Sequence, residues 1–168
     1  MNKFIIADAS PLIAFGRVDQ IPLLFDLLGT ILIPDIVAAE CLSELSRSGA
    51  TAIQHAIDKG IAEIKPHPTH LHNKSVLLYH LGAGETAAIS LAIATQYPLL
   101  IDEKLGRKIA KQLQVKIIGT AGILLLAKQK KLLKKISPLL TELQKSGYHL
   151  STALIKEVLQ QAGEEHLK

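Results

Sequence analysis

Four separated carboxylates are the side chains of this sequence best suited to chemistry. Asp8 follows the apolar run Phe4-Ile5-Ile6-Ala7, and Asp102, with Glu103 beside it, follows Leu99-Leu100-Ile101. Short apolar runs ending in acid are what a parallel sheet presents at its carboxyl edge, where open α/β sheets place their crevice. Parallel, adjacent strands would bring both acids to that edge. Ser10, directly before Pro11, is better placed than Asp8 to cap the following helix, which leaves Asp8 without a structural task. Asp102 has a structural reading of its own, as the cap of a helix beginning near Lys104. Glu40 lies in the otherwise apolar stretch Ile36-Val37-Ala38-Ala39-Glu40-Cys41-Leu42, and read alone it faces water. Glu85 opens a helix after Gly82-Ala83-Gly84, where the helix dipole favours a carboxylate by about 0.3–1 kcal/mol without any catalytic purpose.

As a set, Asp8, Glu40, Glu85 and Asp102 border one crevice and repel one another unless a cation joins them. A hard divalent ion, Mg²⁺ or Mn²⁺, prefers such oxygen donors and keeps water in its shell, leaving room for a phosphodiester oxygen. The chemistry that suits this arrangement is metal-assisted phosphodiester hydrolysis. Glu103 adds a further carboxylate, so either member of the pair Asp102-Glu103 can serve as the ligand. Arg107, one turn along, is read as a phosphate ligand or as a brace for a carboxylate, with the brace favoured.

The elements that must position these groups alternate along the chain. Strands are expected at 4–7, 31–33, 61–64, 99–101 and 115–118. Helices are expected from Ser10-Pro11 to Val18 and at 22–28, 35–45, 51–59, 85–96, 105–113, 121–130, 138–145 and 152–161. This alternation predicts an α/β domain with a mainly parallel sheet. With 168 residues, 48% of them hydrophobic, the chain is expected to form one domain over 1–168, with C-terminal helices at about 137–162 packed on it. A single cysteine, Cys41, excludes an internal disulfide and a cysteine-built zinc site. The N-terminal apolar run is too short for a signal peptide and no stretch is long enough to span a membrane, so a cytoplasmic protein is expected.

The formal charge of +4 is mild, but ten basic residues and no acid fall between Lys104 and Thr141. Within that region Lys104, Lys108 and Lys111 recur at spacings of three and four and form one helical ridge, a candidate surface for a nucleic-acid backbone. A solvated helix face kept basic for solubility explains any one of these lysines equally well. His67, His70 and His72 lie in an irregular, proline-containing stretch and are read as loop residues rather than as a zinc site.

At these positions the sequence resembles the PIN-domain family of metal-dependent ribonucleases, and more closely its compact prokaryotic, VapC-like branch. The resemblance rests on Ile5-Ile6-Ala7-Asp8-Ala9-Ser10-Pro11-Leu12-Ile13, on Ile33-Pro34 with Val37 and Glu40, on Gly82-Ala83-Gly84-Glu85-Thr86-Ala87-Ala88-Ile89, and on Leu100-Ile101-Asp102-Glu103. Gly106-Arg107-Lys108-Ile109-Ala110 and Ile118-Gly119-Thr120 fit the same branch. It implies a three-layer α/β/α domain around about five strands, with Asp8, Glu40, Glu85 and Asp102 in the four acidic positions and Ser10 in the small polar position after the first. Glu85 stands where many members have Asp, which lengthens that arm by one methylene. The resemblance also implies an RNA substrate, an antitoxin partner if the chain is a toxin, and a homodimer. Two other classes compete: a degenerate module that binds nucleic acid or protein through its basic surface, and a phosphotransfer or phosphatase domain. The last ranks lowest because Asp8-Ala9-Ser10 lacks a second aspartate two residues on.

Overall fold

Alternation along the strands divides the core in two. The computed structural model describes residues 3–69 and 76–164. In β1 (Phe4–Ala7) and β2 (Thr30–Pro34), Ile5, Ala7, Ile31 and Ile33 point to one side, and Ile6 and Leu32 to the other. Strands buried on both faces need helices on both faces, which is why these runs are apolar throughout. The remaining strands are β3 (Ala62–Lys65), β4 (Leu99–Leu100) and β5 (Ile117–Ile118), and the sheet order is β3-β2-β1-β4-β5 with every pairing parallel.

One face carries α1 (Ala9–Arg17), α2 (Ile21–Leu28), α3 (Asp35–Leu42) and α4 (Ala50–Asp58), whose Leu12, Phe15, Leu24, Val37 and Ile53 close over the sheet. The other carries α5 (Ala83–Thr95) and α6 (Lys104–Gln112), through Ala88, Ile89, Ile109 and Ala110. The domain is thus a three-layer α/β/α sandwich. A third cluster joins α1 and α2 to α7 (Thr120–Gln129), α8 (Ser137–Lys145) and α9 (Thr152–Gln161). Glu164 ties that corner together. Its buried carboxylate accepts from Ile136 N at 3.0 Å, Ser137 N at 3.3 Å and Lys128 Nζ at 2.8 Å. Burial would raise its pKa, but these donors outweigh that and hold it down at about 2.

The expected elements are present with ends shifted by a residue or two, as in α5, which begins at Ala83, and β5, which keeps only 117–118, and three further differences stand out. Helix α1 begins at Ala9, so Ser10 lies inside the helix and Asp8 occupies the N-cap position, corrected from the expectation that Ser10 caps it. Asp8 has extended backbone there, and its side chain makes no capping bond. Helix α3 ends at Leu42 rather than 45, and at its end the Ser43 hydroxyl donates to the Glu40 carbonyl at 3.3 Å. A 3-10 turn at Val76–His80, not anticipated, precedes α5. His67 is hydrogen-bonded to Asp35 at 2.6 Å, whereas His70 and His72 lie outside the described residues.

Candidate functional site

The sheet order makes β1 the central strand, so the residue after it sits at the middle of the carboxyl edge. That residue is Asp8, only 5% exposed, with its backbone N–H donating to Leu100 O at 3.0 Å. Pairing of Ala7 with Leu100 carries Asp102 to the same edge. Glu40, on α3, reaches the edge over Gly84, where a Cβ would lie 2.7 Å from its Oε1. The glycine in Gly82-Ala83-Gly84 therefore leaves room for a carboxylate. Glu85 follows in the first turn of α5, half-buried.

All four acids line one open cleft of about 700 Å³. Asp8 has its pKa pushed from the usual 3.8 up to about 6, first by burial and further by the Glu85, Glu40 and Asp102 carboxylates, while the Ala9 N–H pulls it the other way. Glu85 is also shifted upward, by burial and then by Glu103 and Glu40. The acids thus feel one another as a like-charged group.

Asp102 is held differently. Thr120, the first residue of α7, donates to it twice, from its N–H to Oδ1 at 2.7 Å and from its hydroxyl to Oδ2 at 2.6 Å. The Tyr148 hydroxyl donates to the same Oδ2. Burial and the Asp102 carboxylate push the Tyr148 phenol upward, so it remains a donor at neutral pH. These three bonds fix the carboxylate's orientation. The neighbouring Glu103 caps α6, accepting from Leu105 N at 3.0 Å and Gly106 N at 2.6 Å. Capping falls to Glu103, and Asp102 does not cap α6.

Arg107 Nη1 donates to the Ile101 carbonyl at 2.8 Å, bracing the chain just before Asp102. A Cβ on Gly119 would lie 2.7 Å from that nitrogen and 2.9 Å from Asp102 Oδ1, so this glycine admits both side chains. Ser10 is exposed and lines the cleft. Lys104, Lys108 and Lys111 are exposed on α6, but the basic side chains that line the cleft are Arg17 and His149. Arg17, Thr120, Tyr148 and His149 were given no site role by sequence reasoning. Arg17 had a legible signal, seven residues from Ser10 on one helical face, and Thr120 lies in the Ile118-Gly119-Thr120 stretch that fits the family. Cys41 is buried, and burial with Glu40 and Asp8 pushes its thiol up to about 12, which removes it as a nucleophile.

A cation fits the donor chemistry, which is all oxygen and carries mutual repulsion that a divalent charge would relieve. Among the described residues no three His, Cys, Asp or Glu side chains already stand close enough together to form a closed ligand set. Among those residues too, no helix is long and apolar enough to cross a membrane. Residues 4–164 match the sequence model of a family described as PIN domain. No curated protein and no solved structure matches the chain.

Proposed function

From the premise that this chain belongs to the PIN-domain family, whose members bind nucleic acid and are generally nucleases, we propose that it is a Mg²⁺- or Mn²⁺-dependent endoribonuclease. The observation that carries the reading is the buried Asp8 carboxylate, raised to about 6 with Glu85, Glu40 and Asp102 acting on it. Asp8 and Asp102 are the central metal ligands, and Glu40 and Glu85 complete the acidic pocket and orient the attacking water. Asp102, its orientation fixed by Thr120 and Tyr148, is the ligand of the pair, because both oxygens of Glu103 serve the α6 backbone. A bound divalent ion supplies polarisation of the phosphoryl group and a lowered pKa for water. Lys104, Lys108 and Lys111 hold the RNA backbone beside the cleft, Ser10 contacts substrate within it, and Arg107 keeps the Ile101-Asp102 segment in place. A toxin role with an antitoxin partner, and a homodimer, extend this reading on the strength of the VapC-like resemblance.

The test is cleavage of single-stranded RNA by the purified protein with EDTA, Mg²⁺ or Mn²⁺. Cleavage should require the metal and disappear in Asp8→Asn and in Asp102→Asn, with both variants folded. Metal-independent cleavage, or full activity in both variants, would overturn it. RNA binding by a folded protein that neither cuts RNA nor responds to metal would instead identify a degenerate binding module.

A further inference from the structure

The cleft extends along α1 beyond the acids. Ser10, Ile13, Ala14 and Arg17 all line it, at the three- and four-residue spacing of one helical face. Asp8 stands at the start of that face and Arg17 at its end. Nine residues at about 1.5 Å each separate them by about 13 Å along the helix. Gly147, Tyr148 and His149 line the same cleft, and a Cβ at Gly147 would lie 3.7 Å from Arg17 Nη1.

Arg17 is positioned rather than loose. Its stem packs on α4, where a Cβ at Gly49 would lie 3.3 Å from its Cγ, and its Nη1 donates to the Ser146 carbonyl at 3.3 Å. That long bond uses one of five guanidinium donors. Among the described residues no carboxylate forms a salt bridge with Arg17, and its side chain is exposed on the cleft. A cleft with carboxylates at one end and an unpaired guanidinium at the other has the charge pattern of a strand in which one phosphate is bridged to acids by metal and another is bound directly. Resting on the ribonuclease reading, we propose that Arg17, with His149 lining the same cleft, forms a second phosphate subsite, so that single-stranded RNA runs lengthwise along α1 with Tyr148 beside it. The phosphate at Arg17 lies further along the strand than the one cut.

The experiment measures binding, so that it does not depend on turnover. Asp8→Asn protein is titrated against a fluorescein-labelled ten-nucleotide single-stranded RNA by anisotropy over a series of salt concentrations, alone and combined with Arg17→Gln, Arg17→Lys or Lys59→Gln. Each phosphate contact on a single strand contributes about 0.7 to the slope of log K against log salt. Arg17→Gln should weaken binding severalfold and flatten the slope by about 0.7, while Arg17→Lys keeps the slope. Lys59, exposed and outside the cleft, should leave the slope unchanged when replaced. A slope unmoved by Arg17→Gln overturns the subsite even if affinity falls, because disturbing the Ser146 turn would lower affinity without removing a phosphate contact. If neither the Asp8→Asn parent nor the wild type in EDTA binds the strand, the subsite is overturned, and if the wild type with Mg²⁺ also fails to cut RNA the ribonuclease reading fails with it.

Discussion

Replacing Asp8 with Asn should abolish cleavage and at the same time make the metal-free protein more stable. The carboxylate is buried, its pKa lies at about 6 instead of 3.8, and the groups facing it, Glu85, Glu40 and Asp102, are all acids. A folded-state pKa above the unfolded value means that the native state binds the proton more tightly. Asp8's contribution is therefore fully present below about 3.8 and is lost as pH rises through about 6. At about 1.4 kcal/mol for each pH unit between the two values, ionised Asp8 costs the native state about 3 kcal/mol above pH 7. Asparagine keeps the shape and removes the charge. For a domain of this size the gain corresponds to a rise in Tm of up to about 10 °C. The assay is thermal melting followed by circular dichroism in EDTA, with wild type and Asp8→Asn compared from pH 3.5 to pH 8. The curves should coincide at the acid end and separate as pH rises through 6, with groups unaffected by the substitution cancelling in the difference. Adding Mg²⁺ should close the gap from the other side, stabilising wild type by about 2.7 kcal/mol at 100 times the dissociation constant and leaving the variant nearly unmoved. A variant no more stable than wild type at pH 8 in EDTA would refute the account of a strained acidic pocket.

Tyr148→Phe removes one of the three hydrogen bonds that orient Asp102. A hydrogen bond to a charged group is worth about 1.5–3 kcal/mol, so single-turnover cleavage should slow by about tenfold or more while near-UV circular dichroism shows native packing. Glu164→Ala takes the ion-pair partner from Lys128, whose Nζ keeps only the Ala162 carbonyl, leaves two backbone donors without their acceptor, and should cost about 3 kcal/mol in urea unfolding at pH 7. Because the Glu164 pKa is depressed, that difference should be full above about 4.5 and fade as pH falls toward 2. Neutralising two of Lys104, Lys108 and Lys111 should weaken RNA binding similarly across sequences and flatten its salt dependence, as fluorescence anisotropy would show. Unchanged affinity at low salt would make that ridge a solvated face.

Local pattern carried most of the fold. Phe4-Ala7 and Leu99-Leu100 read as buried strands because their neighbours are turn formers and acids, and the structure pairs them in parallel on either side of the expected edge. The approach of Asp8, Glu85 and Asp102 to one edge was legible for the same reason, since strand ends and helix starts fix where a side chain emerges, whereas Glu40, inside α3, was assigned by the set and the resemblance. What failed was competition between neighbours. Ser10 is a good cap by type, yet the helix starts two residues earlier, and of the pair Asp102-Glu103 the second residue caps α6. What stayed invisible depended on distant chain. Nothing near Tyr148 in sequence points to Asp102, and its bond exists only because α7 and α8 bring the segment after Lys145 back over the sheet edge.

The placement of β1 at the centre of the sheet also governs when the site comes into being. Pairing of β1 with β2 joins residues 26 apart, Phe4 to Thr30, and the first helices pack around that pair, so Asp8 and Glu40 can meet before the C-terminal half of the chain is in place. Pairing of β1 with β4 closes a loop of more than half the sequence, an entropically dear and slow event. Asp102 joins the acid set only with that closure, and its Tyr148 restraint needs the chain out to residue 148 as well. A partly folded chain therefore holds an incomplete acid set, so on the ribonuclease reading cleavage waits for the finished molecule.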